Sequence, residues 1–150
     1  MKHVRTRVLR DELAQLRAKI EPVFRKDTAV PGTASLIPSA GHCAAVAAIA
    51  QATIGGDLVS TIVEGQSHWF NRFAIGSASY DGDVTGDQFN LEPVRISAAG
   101  TLYPNVSLRS VGQLNDETLR RALRLAKRAG LTTAASKLAA HLKARELVDA

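Results

Sequence analysis

From Cys43 to Ala50 the chain runs through eight consecutive apolar residues, Cys43-Ala44-Ala45-Val46-Ala47-Ala48-Ile49-Ala50. Gly41 precedes the run and Gly55-Gly56 follows it, so the segment reads as a helix to about Thr53. Ser39 is placed to cap it. A helix that is apolar all round must be buried, and this one is far too short to cross a bilayer, which takes about 20 such residues. It therefore marks the centre of a globular core, and 150 residues suffice to build one around it as a single domain, residues 1–150.

The flanks supply the remaining layers. Val4, Val8, Leu9, Leu13, Leu16, Ile20, Val23 and Phe24 recur at helical spacing, which predicts an amphipathic N-terminal helix over about residues 4–26. Pro22 is expected to kink or shorten its end. Residues 27–41 hold Pro31-Gly32 and Pro38 and read as a loop. Leu58-Val59-Ser60-Thr61-Ile62-Val63 is β-branched and reads as a strand; His68 to Phe73 and Ser79 to Val84 read as a hairpin turning near Gly76. Residues 90–114 are broken up by Pro93, Gly100, Pro104 and Gly112 and carry no clear pattern. Two helices are expected over about residues 115–148, the first opened by Asn115-Asp116-Glu117 and closed by Gly130, the second capped by Thr132 or Thr133. The expected class is α+β: a nucleophile-bearing helix packed on a small antiparallel sheet, with helices from both termini beside it.

Residues 1–30 and 115–150 each carry a net charge of +4, and residues 31–114 carry −3. The basic ends fit a solvated helix face, and the alternative they leave open is a non-catalytic module binding protein or nucleic acid. Nucleic acid ranks below the other partners because the segment with the candidate chemistry is the acidic one. One cysteine leaves no internal disulfide to form. Asp11 and Glu12 stand where a signal peptide would need apolar residues, so a cytoplasmic location is expected. No cofactor is expected: neither ligand spacing for a metal nor a glycine-rich phosphate loop is present.

The chemistry-bearing residues lie in and beside the central run. Cys43 stands at a helix N-terminus, where the dipole favours a thiolate. His68 and Asp83 fall on the two arms of the expected hairpin. A turn on Ile75-Gly76 sets them opposite each other. A turn on Gly76-Ser77, the better match to a type II′ turn, sets Asp83 one diagonal step away. In both registers they share a face, which suits a carboxylate that fixes an imidazole's tautomer. Asp81 has the same parity and is the substitute; Asn71 is the rival orienting group but points to the other face. Thiol, histidine and carboxylate are the parts of a thiol acyl-transfer enzyme. Trp69 is expected to wall the core or the pocket.

Gly41-His42-Cys43-Ala44-Ala45-Val46, Ser67-His68-Trp69-Phe70-Asn71-Arg72 and Asp83-Val84-Thr85-Gly86-Asp87-Gln88-Phe89 resemble three segments of the YunG-like bacterial proteins, over roughly residues 20–90. The lead-in Phe24-Arg25-Lys26-Asp27-Thr28 resembles that family too. The layout is similar to papain-like and transglutaminase-like thiol enzymes. The resemblance implies such a core over about residues 35–90, with Cys43 as nucleophile, His68 as base and Asp83 as orienting acid. It also implies a source in a bacterium or its phage, while the chemistry of the three groups points to a protein, peptide or small amide or ester as substrate. Where the family has glutamine, this chain has His42, which becomes a candidate oxyanion or supporting group beside Gln66, Asn71 and Trp69. A core of this kind whose activity has lapsed is a further reading. The acyl acceptor and oligomeric state are left open.

Overall fold

The structure, a computed structural model, describes residues 2–33, 36–89 and 91–149. Residues 35 and 90, the expected limits of the core, lie outside it, as does the side chain of Val4. The described residues form four α-helices and a five-stranded antiparallel sheet: α1 (Lys2–Ile20), α2 (Cys43–Thr53), β1 (Asp57–Val63), β2 (Gln66–Ile75), β3 (Ala78–Asp83), β4 (Arg95–Ala98), β5 (Ser107–Arg109), α3 (Asp116–Arg128) and α4 (Thr132–Asp149). The strands lie in the order β4-β3-β2-β1-β5.

α1 ends at Ile20 rather than near residue 26. Pro22 has no N–H to give and its ring crowds the carbonyl four residues back, so the chain tightens into a short 3₁₀ turn, Glu21–Val23. Leu9, Leu13, Leu16 and Ile20 form the buried stripe of α1, while Val8, expected in that stripe, is 51 % exposed. α2 is buried at every position from Ala45 to Ala50 and packs against β2 on one side and α3 and α4 on the other. Its small side chains let these three neighbours approach closely. Gly82 serves the same end on the sheet: a Cβ there would lie 2.8 Å from Leu13 Cδ1 and 3.0 Å from Phe73 Cε2, so its absence lets α1 settle onto β3. Asn115 caps α3 by accepting from the Thr118 N–H at 2.8 Å.

The helices cover one face of the sheet, where Leu58, Phe73 and Ile75 join the main core. The opposite face carries a smaller cluster of Val59, Phe70 and Tyr103, covered by Leu91, Leu102 and Val106 from the irregular chain around β4 and β5. Those two short edge strands were hidden in the unpatterned 90–114 stretch. Among the described residues no helix is long and apolar enough to cross a membrane.

Candidate active site

The β2–β3 hairpin turns on Gly76-Ser77, with Gly76 at φ +63°. This is the type II′ pattern, which needs a positive φ at its first central residue. The register pairs Asn71 with Gly82 and Ile75 with Ala78. Asp83 therefore comes one diagonal step from His68 on the same face. The His68 Nε2–H donates to Asp83 Oδ2 at 2.8 Å, with both side chains sealed from solvent.

Asp83 collects further donors. Oδ1 accepts from the Thr85 backbone N–H at 2.9 Å and the Thr85 hydroxyl at 3.3 Å. Oδ2 also accepts from the Tyr103 hydroxyl at 2.5 Å. The imidazole sits in an aromatic box: Phe89 meets it edge-on at 4.9 Å, Tyr103 at 5.1 Å, and Phe70 stacks at 5.9 Å between ring centres. These contacts fix the ring and keep water off it. Neither Tyr103 nor Phe89 was singled out from the sequence. Phe89 closes the third quoted motif, but Tyr103 comes from an unpatterned loop that offered no signal.

Cys43 approaches from the other side of the sheet. α2 packs on the face that carries Asn71, whereas His68 stands on the face that carries Phe70. The two meet because the pairing of β3 with β2 begins only at Asn71, leaving the Gln66–Phe70 end of β2 paired to β1 alone. The N-terminus of α2 comes to this open edge, with Cys43 Sγ 3.9 Å from the Ser67 carbonyl oxygen and the thiol partly exposed. His68 Nδ1, the nitrogen that Asp83 leaves free, is buried and makes no hydrogen bond among the described residues. Burial pulls the proton affinity of His68 down, but the Asp83 bond and the neighbouring Cys43 sulfur outweigh it and raise the pKa to about 9. The thiol is thus close enough to act on the ring without an aligned hydrogen bond, a gap that a substrate complex can tighten.

The other expected site residues lie as follows. His42 is buried with its ring turned away from His68. Its Nδ1–H donates to the Ala40 carbonyl at 2.9 Å, Nε2 accepts from the Thr28 hydroxyl at 2.7 Å, and the ring packs on Phe24 at 4.2 Å. Both nitrogens are used, so His42 has no donor to offer an oxyanion; it braces the loop before α2 instead. Asn71 donates from Nδ2 to the Ala47 carbonyl at 2.9 Å and clamps α2 to the sheet. Trp69 packs into the main core and Gln66 is exposed. Asp81 is taken by Arg72, at 2.7 and 3.1 Å, and by the Gly100 N–H, so it does not stand in for Asp83.

Ser39 does not cap α2, which begins at Cys43 with His42 before it. Its hydroxyl donates to Asp87 Oδ1 at 2.5 Å and its carbonyl accepts from Gln88 Nε2 at 2.5 Å. Asp87 in turn accepts both terminal nitrogens of buried Arg17 at 2.9 Å, and Arg17 also donates to the Val84 carbonyl at 2.7 Å. Arg17 therefore ties α1 to the chain after Asp83 and, through Asp87, to the loop before Cys43. A cavity of about 610 Å³ lies beside His42, walled by Phe24, Val30, Ile37 and Pro38, but Cys43 and His68 do not line it. Among the described residues no cluster of three His, Cys, Asp or Glu side chains is placed to hold a metal ion.

Residues 12–127 match the model of a protein family described as YunG protein. No curated protein and no solved structure matches the chain.

Proposed function

The chain belongs to the YunG family, and from the geometry of its site we propose that it is a cysteine-dependent hydrolase or acyltransferase whose working groups are Cys43, His68 and Asp83. One observation carries this reading: a buried imidazole whose Nε2 is committed to a carboxylate and whose unpaired Nδ1 lies under the influence of a partly exposed thiol. A core histidine kept for packing has no need of a buried carboxylate with four donors, nor of a bare nitrogen beside sulfur. On this reading the site would work in the manner of papain-like and transglutaminase-like thiol enzymes.

In the proposed cycle the Cys43 proton passes to His68 Nδ1, and the sulfur adds to an amide or ester carbonyl. The developing oxyanion takes the Cys43 backbone N–H, one of the first four of α2 and so without a partner in its own helix. The tetrahedral adduct collapses, the C–N or C–O bond breaks, and the leaving group takes the proton from His68. Water or an amine then adds to the thioester, gives its proton to His68, and expels the thiol, which recovers that proton. Asp83 holds the ring throughout.

The test is a burst experiment with p-nitrophenyl esters. Wild-type protein is expected to release nitrophenolate in one stoichiometric burst and to gain the acyl mass on Cys43. Cys43→Ser and His68→Ala should lose both. Acylation no faster than that of a free cysteine peptide would overturn the proposal.

A further inference from the structure

We propose that Tyr103 is a positioning residue for this pair: by sharing Asp83 Oδ2 with the imidazole, its hydroxyl tunes how firmly the carboxylate holds the His68 proton. The inference rests on the reading of Cys43, His68 and Asp83 as a proton-transfer site, and adds to it a residue outside all three sequence motifs.

Both donors fall on one oxygen, the His68 Nε2–H at 2.8 Å and the Tyr103 O–H at 2.5 Å. Each hydrogen drawn onto that oxygen takes some of its charge, so two donors on one acceptor weaken each other. The effect is large where water cannot screen it, and Tyr103 is only 3 % exposed beside two sealed partners. The hydroxyl remains a donor at all working pH, because burial and the charge of Asp83 push its ionisation far above the ordinary tyrosine range.

The placement is held from several sides. The Tyr103 ring meets His68 at 5.1 Å and Phe70 at 4.9 Å between centres. The next residue's carbonyl, Pro104, accepts from the Thr61 hydroxyl at 2.7 Å, and the Gly100 N–H anchors the start of the loop on Asp81. The charged and titratable groups acting on the pair are Asp83 from β3, Cys43 from α2, Tyr103 from its loop, and Arg95 from β4, which acts on Tyr103. Phe70 and Phe89 complete the wall without charge.

With no second donor on Oδ2, the carboxylate would bind the imidazolium more tightly, and His68 would then return its proton to a leaving group more slowly. Tyr103 moderates that grip.

The sign of the effect separates this role from simple packing. Tyr103→Phe keeps the ring and removes only the hydroxyl. The readout is the titration midpoint of His68, followed by NMR of isotope-labelled imidazole and assigned with His68→Gln among the chain's four histidines. It is measured in a Cys43→Ala parent, so it decides the Tyr103 proposal independently of any activity. Tyr103→Phe is expected to raise the midpoint above that of the parent by about half a unit or more, as loss of a competing hydrogen bond to a charged group implies. A packing role predicts a loosened pair and a midpoint that stays or falls, and either result overturns the proposal.

Replacing both tyrosines, Tyr80 and Tyr103, by 3,5-difluorotyrosine makes the phenol a stronger donor without changing the fold's ring content. That protein should show a lowered midpoint. An unchanged one counts against the proposal even if Tyr103→Phe fails to fold. The ester burst separately decides the cysteine-enzyme reading.

Discussion

Asp83→Asn tests the electrostatics of the site most directly, because it removes one charge and almost no volume. In the folded protein the His68 pKa stands at about 9 against an ordinary 6.5, a difference worth about 3 kcal/mol in favour of the imidazolium. Burial works in the opposite direction, so the raised value is owed to Asp83 and the Cys43 sulfur. An asparagine at residue 83 has one oxygen in place of two, so it can serve the Thr85 donors or the Tyr103 and His68 donors but not both, and it offers no charge to the ring. The His68 midpoint is then expected to fall by about two units. The ratio of thiolate–imidazolium to thiol–imidazole follows the difference between the two proton affinities, so each unit lost from the ring removes up to tenfold of the reactive pair. Alkylation of Cys43 by iodoacetamide, followed by intact mass from pH 6 to pH 8, should slow by up to about 10²-fold in Asp83→Asn. Rates in denaturant should be identical and serve as the control. If the folded variant and wild type alkylate within a factor of two of each other across that range, Asp83 does not govern the thiol through His68 and the reasoning fails.

The same shift makes stability depend on alkaline pH. A group with a raised folded pKa stabilises fully below its unfolded value, so the contribution of His68 should be complete below about pH 6.5 and lost as pH rises through about 9, an upper limit of about 3 kcal/mol read from urea midpoints. His42 has the opposite sign, because burial lowers its pKa. Its contribution is present above pH 6.5 and lost as pH falls, so His42→Gln should flatten part of the acid limb relative to wild type. Arg17→Met strands Asp87 and the Val84 carbonyl and should cost about 3–5 kcal/mol in denaturant unfolding, with Arg17→Met/Asp87→Leu recovering much of the loss. Asn71→Ala should cost about 1–3 kcal/mol by removing the buried hydrogen bond that ties β2 to α2 and leaving a void beneath the helix, and should not move the His68 midpoint.

The hairpin was legible because one glycine settles it. Gly76 can take the positive φ of a type II′ turn, and period-two alternation then carries the face of His68 along to Asp83. α2 was legible because its apolar run is rich in alanine, a helix former, and is bounded by Gly41 and Gly55-Gly56. What escaped was everything without a period. β4 and β5 are four and three residues long and sit among prolines and glycines, so no alternation can build up. Tyr103 is fixed by burial of a loop against a sheet face, a tertiary fact with no local pattern. The direction of the His42 ring was not legible for a geometric reason: residues adjacent along a helix start point about 100° apart, so its neighbour's approach to β2 sends its own ring toward Phe24 and Thr28.

The architecture also explains why the chemistry depends on parts so far apart in the chain. A helix packed on a sheet ordinarily reaches only the side chains of the face it covers. Here the thiol belongs to the helix-covered face and the imidazole to the other, so contact is possible only past the end of a strand. β3 supplies that end by pairing with β2 no further than Gly82 opposite Asn71, and the very next residue is Asp83. The chain then turns away through Thr85, which grips Asp83, and Asp87, which grips Arg17 and the loop before Cys43. One short segment, residues 83–89, thus opens the edge, orients the base, walls the ring with Phe89 and anchors the approach to the nucleophile. Lengthening β3 by a hydrogen-bonded pair would close the gap between sulfur and ring even with all three side chains intact, so the end of this strand is as much a part of the site as the residues that would do its chemistry.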